Sequence, residues 1–391
     1  MSKEIISRRA EEIVLIGFFL SVLSLPLLGT VFHPESTQLW DNRPLAQFPP
    51  VTAKFSDVVQ FPKRFGSYFK DHFAFRGKLI KAQAVVRVNW LHVSTRPDII
   101  VGKDGWLFYG DANSIASYTR SKPLTQSELE RWQKILEARQ DWLKQRGIDF
   151  IFAIAPNKES VYGEYMADER VRATGPSRVE QLIDYLGAHS NIRILDLRPA
   201  LLQSKQRYRL YHQTDSHWNT FGAFTAYRAI GERLRVTIPG FHLLSETDFD
   251  VVKAEPYSGD LAGMLGLKGI RREDELSLKP RQPLKAIHRK ELDAKVPADR
   301  SIPRLIYERE SSDLPRLVMF GDSFGPSLAA FLAEGFGRTT FFENQTVDRA
   351  VVESERPRVV IMEMVERLLI NDPLDDLPSS GLTRGKAQLP R

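Results

Sequence analysis

From about residue 99 to residue 370 the apolar positions alternate between two patterns: short unbroken runs and stripes at helical spacing. "IIVGKDGWLFYG" (99–110) sets two apolar runs about a Lys-Asp-Gly turn, which predicts a hairpin. Thr125 with Glu128 three positions on has the form of a capping box, and Leu129, Trp132, Leu136 and Leu143 then recur on one helical face until Gly147. "IDFIFAIAP" (148–156) is an apolar run broken only by Asp149 near its start, as expected of a strand covered on both faces. A second helix over 177–188, the strand "IRILDL" (192–197) and a third helix capped by Asn219, with Phe224, Tyr227, Ile230 and Leu234 in a stripe, continue the alternation. It resumes with the strand "RLVMF" (316–320), a helix to about 334, "RTTFF" (338–342), a helix from about 346 and the strand "RVVIMEMV" (358–365). Strands and helices in alternation predict an α/β domain, a parallel sheet with helices on both faces. The polar, charge-mixed residues 245–312 show no period and read as an irregular insertion; 373–391 read as a loose tail.

The N-terminal pattern is different. Residues 13–32 ("IVLIGFFLSVLSLPLLGTVF") carry no formal charge. At about 1.5 Å per residue the run matches a hydrocarbon layer of roughly 30 Å. Lys3, Arg8 and Arg9 precede it and only Arg43 follows soon after, so the basic end is expected to stay cytoplasmic. No clear small-residue cleavage site follows. Residues 1–32 therefore read as a cytoplasmic stub and uncleaved signal-anchor transmembrane helix, single-pass in the inner membrane, with the rest in the periplasm. Residues 33–95, rich in Pro and Phe and then helical in spacing, read as a neck leading to a domain over 96–372.

Composition excludes more than it identifies. With 42% apolar and 27% charged residues the chain has material for a large core, and 55 Lys+Arg against 49 Asp+Glu leave a formal charge of only +6. No basic run with interleaved aromatics tracks a phosphate backbone, so nucleic acid is not an expected partner. The absence of cysteine removes disulfides, thiolate metal sites and cysteine nucleophiles together.

Candidate chemistry sits at two places. In "LVMFGDSFGPSLAAFL" (317–332) an apolar strand is followed by Gly321-Asp322-Ser323 and then a helix. That order sets Ser323 at the carboxyl end of a strand, where ligands of open α/β sheets bind, beside helix N–H groups able to stabilise an oxyanion. The competing reading is a serine that only caps the helix. Gly321 to Gly325 also satisfies G-x-S-x-G, but in α/β-hydrolases the histidine follows the serine, and here the last histidine is His288. The second place is "YHQTDSHWNT" (211–220). In extended chain, residues two apart project the same way, so Asp215 can orient the His217 imidazole while the other ring nitrogen faces a serine. The roles follow: Ser323 nucleophile, His217 general base then acid, Asp215 orienter. Alternatives are a turn-capping Asp215, or a metal held by His212, Asp215 and His217, for which a further strong ligand is lacking.

"VGKDGWLFY", "TDSHWNTFGAF", "GDLAGMLGL" (259–267) and "GDSFGPSLAAFLAEGF" together resemble the SGNH hydrolase-like domain of alginate O-acetyltransferases and related exopolysaccharide acetylation proteins, over roughly 95–370. The resemblance implies a three-layer SGNH hydrolase-like sandwich and the same triad of Asp215, His217 and Ser323. It implies transfer of acetyl groups to hydroxyls of a secreted polysaccharide, alginate-like or other, with a membrane-bound O-acyltransferase as acetyl donor and no cofactor. Asp322 departs from the alginate enzymes, which carry Thr there. Carbohydrate acetylesterase and non-catalytic polysaccharide-binding subunit of an export complex are the alternatives. Asn157, Lys158, Gly321, Glu366 and Arg367 are further substrate or oxyanion candidates on the expected site edge, against plain loop residues for Asn157 and Lys158 and a structural ion pair, the favoured account, for Glu366 and Arg367; Trp106, Phe108 and Tyr109 offer rings for sugar stacking, with core packing as their default.

Overall fold

A computed structural model describes residues 3–32, 45–52, 54–166, 174–293, 304–310 and 313–371. The expected tail at 373–391 and much of the start of the neck lie outside the described residues. The chain divides into two compact units, Met1–Thr95 with Gly263–Lys268, and Arg96–Ala262 with Gly269–Arg391.

In the first unit, α1 (Lys3–Phe32) is one helix, as its composition predicts. Its opening turns are charged, and beyond them Ile13, Leu15, Phe18, Phe19 and Leu25 are each more than half exposed. Among the described residues no helix is long and apolar enough to cross a membrane, so the expected transmembrane span is not found there. The neck forms α2 (Phe55–His72) and α3 (Arg76–Val85). They are separated where Phe75 takes a left-handed backbone, φ 65°. Phe48 packs edge-on against Tyr68 with centroids 5.2 Å apart, and the buried Asp71 accepts the Ala46 N–H at 2.9 Å.

The second unit opens with β1 (Ile99–Val101) and β2 (Leu107–Tyr109), an antiparallel hairpin whose turn uses left-handed Asp104 and Gly105. Then come α4 (Ala112–Thr119), α5 (Gln126–Lys144), β3 (Asp149–Ala155), α6 (Lys158–Val161), α7 (Arg178–His189), β4 (Ile194–Asp196), α8 (Arg198–Ser204) and α9 (Thr220–Thr237). The stretch without a sequence period holds β5 (Phe249–Lys253), α10 (Asp260–Met264), β6 (Leu276–Pro280), β7 (Ala286–His288), α11 (Lys290–Asp293) and β8 (Arg304–Arg309). The chain closes with β9 (Arg316–Gly321), α12 (Gly325–Leu332), β10 (Arg338–Glu343), α13 (Arg349–Glu355) and β11 (Val359–Val365).

The main sheet has the order β4-β3-β11-β9-β10-β8-β7. From β4 to β10 every pairing is parallel, whereas β8 joins β10 and β7 joins β8 antiparallel. The expectation of a parallel sheet is therefore corrected to a mixed one. The reason is chain length. Only residues 310–315 join β8 to β9, too few for the crossover that would return the chain to run parallel.

Alternate strand residues supply opposite faces. Ile151, Ala153, Met319, Val359 and Ile361 pack with Phe224, Tyr227, Ile230 and Leu234 of α9 and with Leu328 and Leu332 of α12. On the other face Phe152, Ile154 and Met362 meet Trp132 and Leu136 of α5 and Leu182 and Leu186 of α7, while Val318 and Phe320 meet Leu143 and Val352. This is a three-layer α/β core. It fixes the carboxyl ends of β3, β11 and β9 side by side on one edge.

Candidate active site

The turn after β9 carries the serine. Gly321 is the last strand residue, where a Cβ would lie 2.7 Å from Glu363 Oε2; Gly325 opens α12, where a Cβ would lie 2.3 Å from the Phe341 ring. Both positions exclude a side chain so that strand and helix can approach β10 and β11. Between them the Asp322 carboxylate binds the turn, accepting the Phe324 N–H at 3.0 Å and the Val365 N–H at 2.7 Å. Beneath it Glu363, fully buried in β11, accepts the Asp322 N–H at 3.3 Å. Burial, and then the charge of Asp322, push the Glu363 carboxyl well above the usual carboxylate range; burial also raises Asp322. The helix cap is Phe324, not Ser323, so the serine is not spent on capping. Ser323 is exposed.

The loop before α9 delivers the partners. Tyr211 bridges Trp218, Asn219 caps α9 by accepting the Phe221 and Gly222 N–H groups, and Trp218 Nε1 donates to Ser327 Oγ of α12 at 2.8 Å. Within the loop Asp215 Oδ1 accepts the His217 backbone N–H at 3.0 Å and lies 2.7 Å from the ring Nδ1. This is a turn rather than extended chain, and the turn brings the side chains together. His217 Nε2 lies 2.7 Å from Ser323 Oγ across a separation of 106 positions. The second Asp215 oxygen accepts from Tyr257 Oη at 2.8 Å and the Asp260 N–H at 2.9 Å.

Those contacts set the charges. Burial alone would raise Asp215, but the hydrogen bond and charge of His217, with the Asp260 and Tyr257 donors, hold it well below the usual carboxylate range. Burial alone would lower His217, but the hydrogen bond and charge of Asp215, then the charge of Asp260, raise it. The imidazole is thus a stronger base than a free histidine, with Nδ1 tied to a carboxylate and Nε2 directed at a hydroxyl.

The other candidates fall into two groups. Lys158 does not face the serine: its ammonium donates to the carbonyls of Leu107, Gln213 and Asp215 at 2.5, 3.0 and 2.8 Å, although burial pulls it down to about 7. Glu366 is likewise a clamp, accepting the Asn157 N–H at 3.1 Å and the Ser160 hydroxyl at 2.6 Å. Gly321 serves close packing. Asn157 and Arg367 remain available. Asn157 is fully buried, and its Nδ2 has no acceptor among the described residues. Arg367 lies over the Tyr109 and Phe324 rings at 5.6 Å and reaches Asn157 Oδ1 at 3.5 Å. Trp106 and Phe108 are buried, their default reading.

Among the described residues, two groups bring possible metal-ligating atoms within 4.8 Å: His212 with Glu273 and Glu275, and Asp215 with His217 and Asp260. In the first, Arg209 already lies 3.1 and 2.8 Å from the two glutamates. In the second, Asp215 and Asp260 are taken up by N–H and O–H donors. The trio of His212, Asp215 and His217 is not gathered, because His212 turns to Glu275 at 3.1 Å. Tyr257, Asp260 and Glu363 are site residues that the sequence reading missed. The "GDLAG" stretch was the one available signal; Tyr257 sits in aperiodic chain and Glu363 in an apolar strand.

Residues 99–366 match the family described as "SGNH hydrolase-like domain, acetyltransferase AlgX". The chain is 29% identical over 191 residues to a probable alginate O-acetylase AlgJ of Pseudomonas aeruginosa, which covers 48% of this chain and 45% of that one. It is 26% identical over 294 residues to the Pseudomonas putida protein of the same name, covering 70% and 71%. The chain thus spans less than half the length of the first relative. Among solved structures, the O-acetyltransferase domain of Pseudomonas putida AlgJ aligns with TM-score 0.47 and 20% identity, covering 72% of this chain and 94% of that one.

Proposed function

This chain belongs to the AlgX-type family of SGNH hydrolase-like acetyltransferase domains, and from that membership we propose that it is a periplasmic O-acetyltransferase acting on hydroxyls of an exopolysaccharide through an acyl-Ser323 intermediate. The observation that carries the reading is the hydrogen-bonded row Asp215–His217–Ser323, with distances of 2.7 and 2.7 Å, ending on an exposed hydroxyl.

In the first half-reaction Ser323 Oγ attacks the acyl carbonyl while its proton passes to His217 Nε2. His217 then returns that proton to the departing group as the carbonyl–leaving-group bond breaks. In the second, a sugar hydroxyl attacks the acyl-serine, gives its proton to Nε2, and Ser323 leaves with it. Asn157, with a donor lacking an acceptor, is the group assigned to the developing oxyanion. It stands at the N-terminus of α6 just after β3, whose carboxyl end lies on the same edge as that of β9. Arg367 is assigned to an anionic substituent of the polymer. The acetyl donor in this reading is a membrane-bound O-acyltransferase. Attachment to the inner membrane runs through α1, where the exposed Ile13, Leu15, Phe18, Phe19 and Leu25 favour a lipid surface over water.

Water in place of the sugar hydroxyl would make the same site an esterase, a reading favoured by the solvent exposure of Ser323. The two are separated by supplying an acetyl donor and deacetylated polysaccharide and measuring ester on the polymer. Polymer ester that disappears in Ser323→Ala supports transfer; free acetate as sole product defeats it. A fluorophosphonate probe tests the enzyme class itself. One label per chain, lost in Ser323→Ala, is expected; no label in the wild type would favour a non-catalytic binder.

A further inference from the structure

Gly259 and Asp260 grip the Asp215–His217 turn from outside it. The Gly259 N–H donates to Thr214 Oγ1 at 2.9 Å, and a Cβ at Gly259 would lie 2.4 Å from Asp215 Cβ. The Asp260 N–H donates to Asp215 Oδ2 at 2.9 Å. In return, Asp260 Oδ1 accepts the Ser216 N–H at 2.8 Å and Oδ2 accepts the Ser216 hydroxyl at 2.5 Å. That second oxygen also stands 3.7 Å from His217 Nδ1, and Ser216 Oγ stands 3.3 Å from the same nitrogen. An uncharged acceptor would suffice to hold the turn. A second carboxylate beside Asp215 instead brings two like charges together, a repulsion that a cation between them relieves.

We infer that Asp260 is a positioning acid of this site: it braces the turn through Ser216 and sets a second carboxylate against Nδ1 of His217, so that the charge formed when the imidazole takes the Ser323 proton is shared by two acids. The inference rests on the acyl-transfer reading above. The Ser323 proton moves to Nε2, the other proton stays on Nδ1, hydrogen-bonded to the Asp215 carboxylate, and none passes to either acid. In the active form, above the acid limb, the resting imidazole is neutral and the cation forms only as the Ser323 proton is taken, so there the stabilisation is greater in the transition state than in the resting site. The mutual effects agree: the Asp260 charge raises His217, and the His217 charge lowers Asp260. Asp260 is raised by burial and then by the Asp215 charge, and His217 is raised by both acids against burial and the opposing charge of Arg367. Asp322, on the far side of the serine, also senses the His217 charge.

The test is the rate of fluorophosphonate labelling against pH, on the full chain, for wild type, Asp260→Asn, Ser216→Ala and Ser323→Ala. Asn keeps the size and an acceptor for the Ser216 N–H but loses the charge. Its acid limb is expected to move down by roughly one pH unit and its plateau rate to fall roughly tenfold. Ser216→Ala keeps the charge and leaves the limb in place. A limb unmoved in Asp260→Asn overturns the inference, since a merely structural brace would not shift it. Should Asp260→Asn lose its cooperative thermal transition, Asp260→Ser is read by the same two outcomes. A wild type that takes no label at any pH removes the acyl-serine reading itself and this inference with it, a result distinct from an unmoved limb.

Discussion

Asp215 carries four hydrogen bonds, two from His217 and one each from Tyr257 and Asp260, and leaves His217 only one nitrogen with which to act. At this scale the chemistry follows from protonation. In the proposed acyl transfer His217 has to be neutral to accept the Ser323 proton, and its value lies above that of a free histidine. Labelling of Ser323 is therefore expected to rise with pH through a single acid limb above about 6.5, the ordinary histidine value. A limb below that value would contradict the raised imidazole. Lys158 tests the opposite kind of role. Its three carbonyl partners lie in β2 and the 213–215 loop. Lys158→Met leaves them without a charged donor and is expected to lower unfolding free energy by about 3 kcal/mol in chemical denaturation. Unchanged stability with lost labelling would make Lys158 a chemical group after all.

Among the elements, capping and periodicity proved legible and pairing did not. Thr125 with Glu128 forms the capping box of α5, Asn219 caps α9, and the continuous run before Pro156 is the buried strand β3. Each of these depends on residues a few positions apart. The aperiodic stretch instead folds into β5 and β6, a separate two-stranded sheet, and β7 and β8, the last strands of the main sheet; charged and polar residues interrupt each of them, so none reads as a continuous apolar run. The seam between α12 and β10 carries the element-scale prediction. A methyl at Gly325 would meet the Phe341 ring at 2.3 Å, in a core with no slack on that side. Gly325→Ala is expected to cost about 1–3 kcal/mol and to displace the serine turn. A variant with wild-type melting and labelling would show that the seam yields.

For the molecule as a whole, the sheet is the instrument that unites positions 217 and 323, because β9 and the α9 loop converge over the same edge while α9 and α12 pack together on one face. Stability is coupled to that union. The depressed Asp215 contributes stability fully present above its unfolded value of about 3.9 and lost as pH falls toward its lower folded value. Asp215→Asn is accordingly expected to flatten the dependence of melting temperature on pH below about 4. An unchanged slope there would mean that other carboxylates carry the acid sensitivity. By itself the sequence determined the α/β alternation, the helix caps, the serine turn and the pairing of Asp215 with His217, since all are set by neighbours along the chain. The tertiary structure alone made the sheet mixed, tied Lys158 and Glu366 into hydrogen bonds with neighbouring chain, and set Tyr257 and Asp260 against Asp215, and Glu363 beneath Asp322. Those outcomes depend on contacts across dozens to hundreds of positions, where packing and the burial of charge, not local pattern, select the partner.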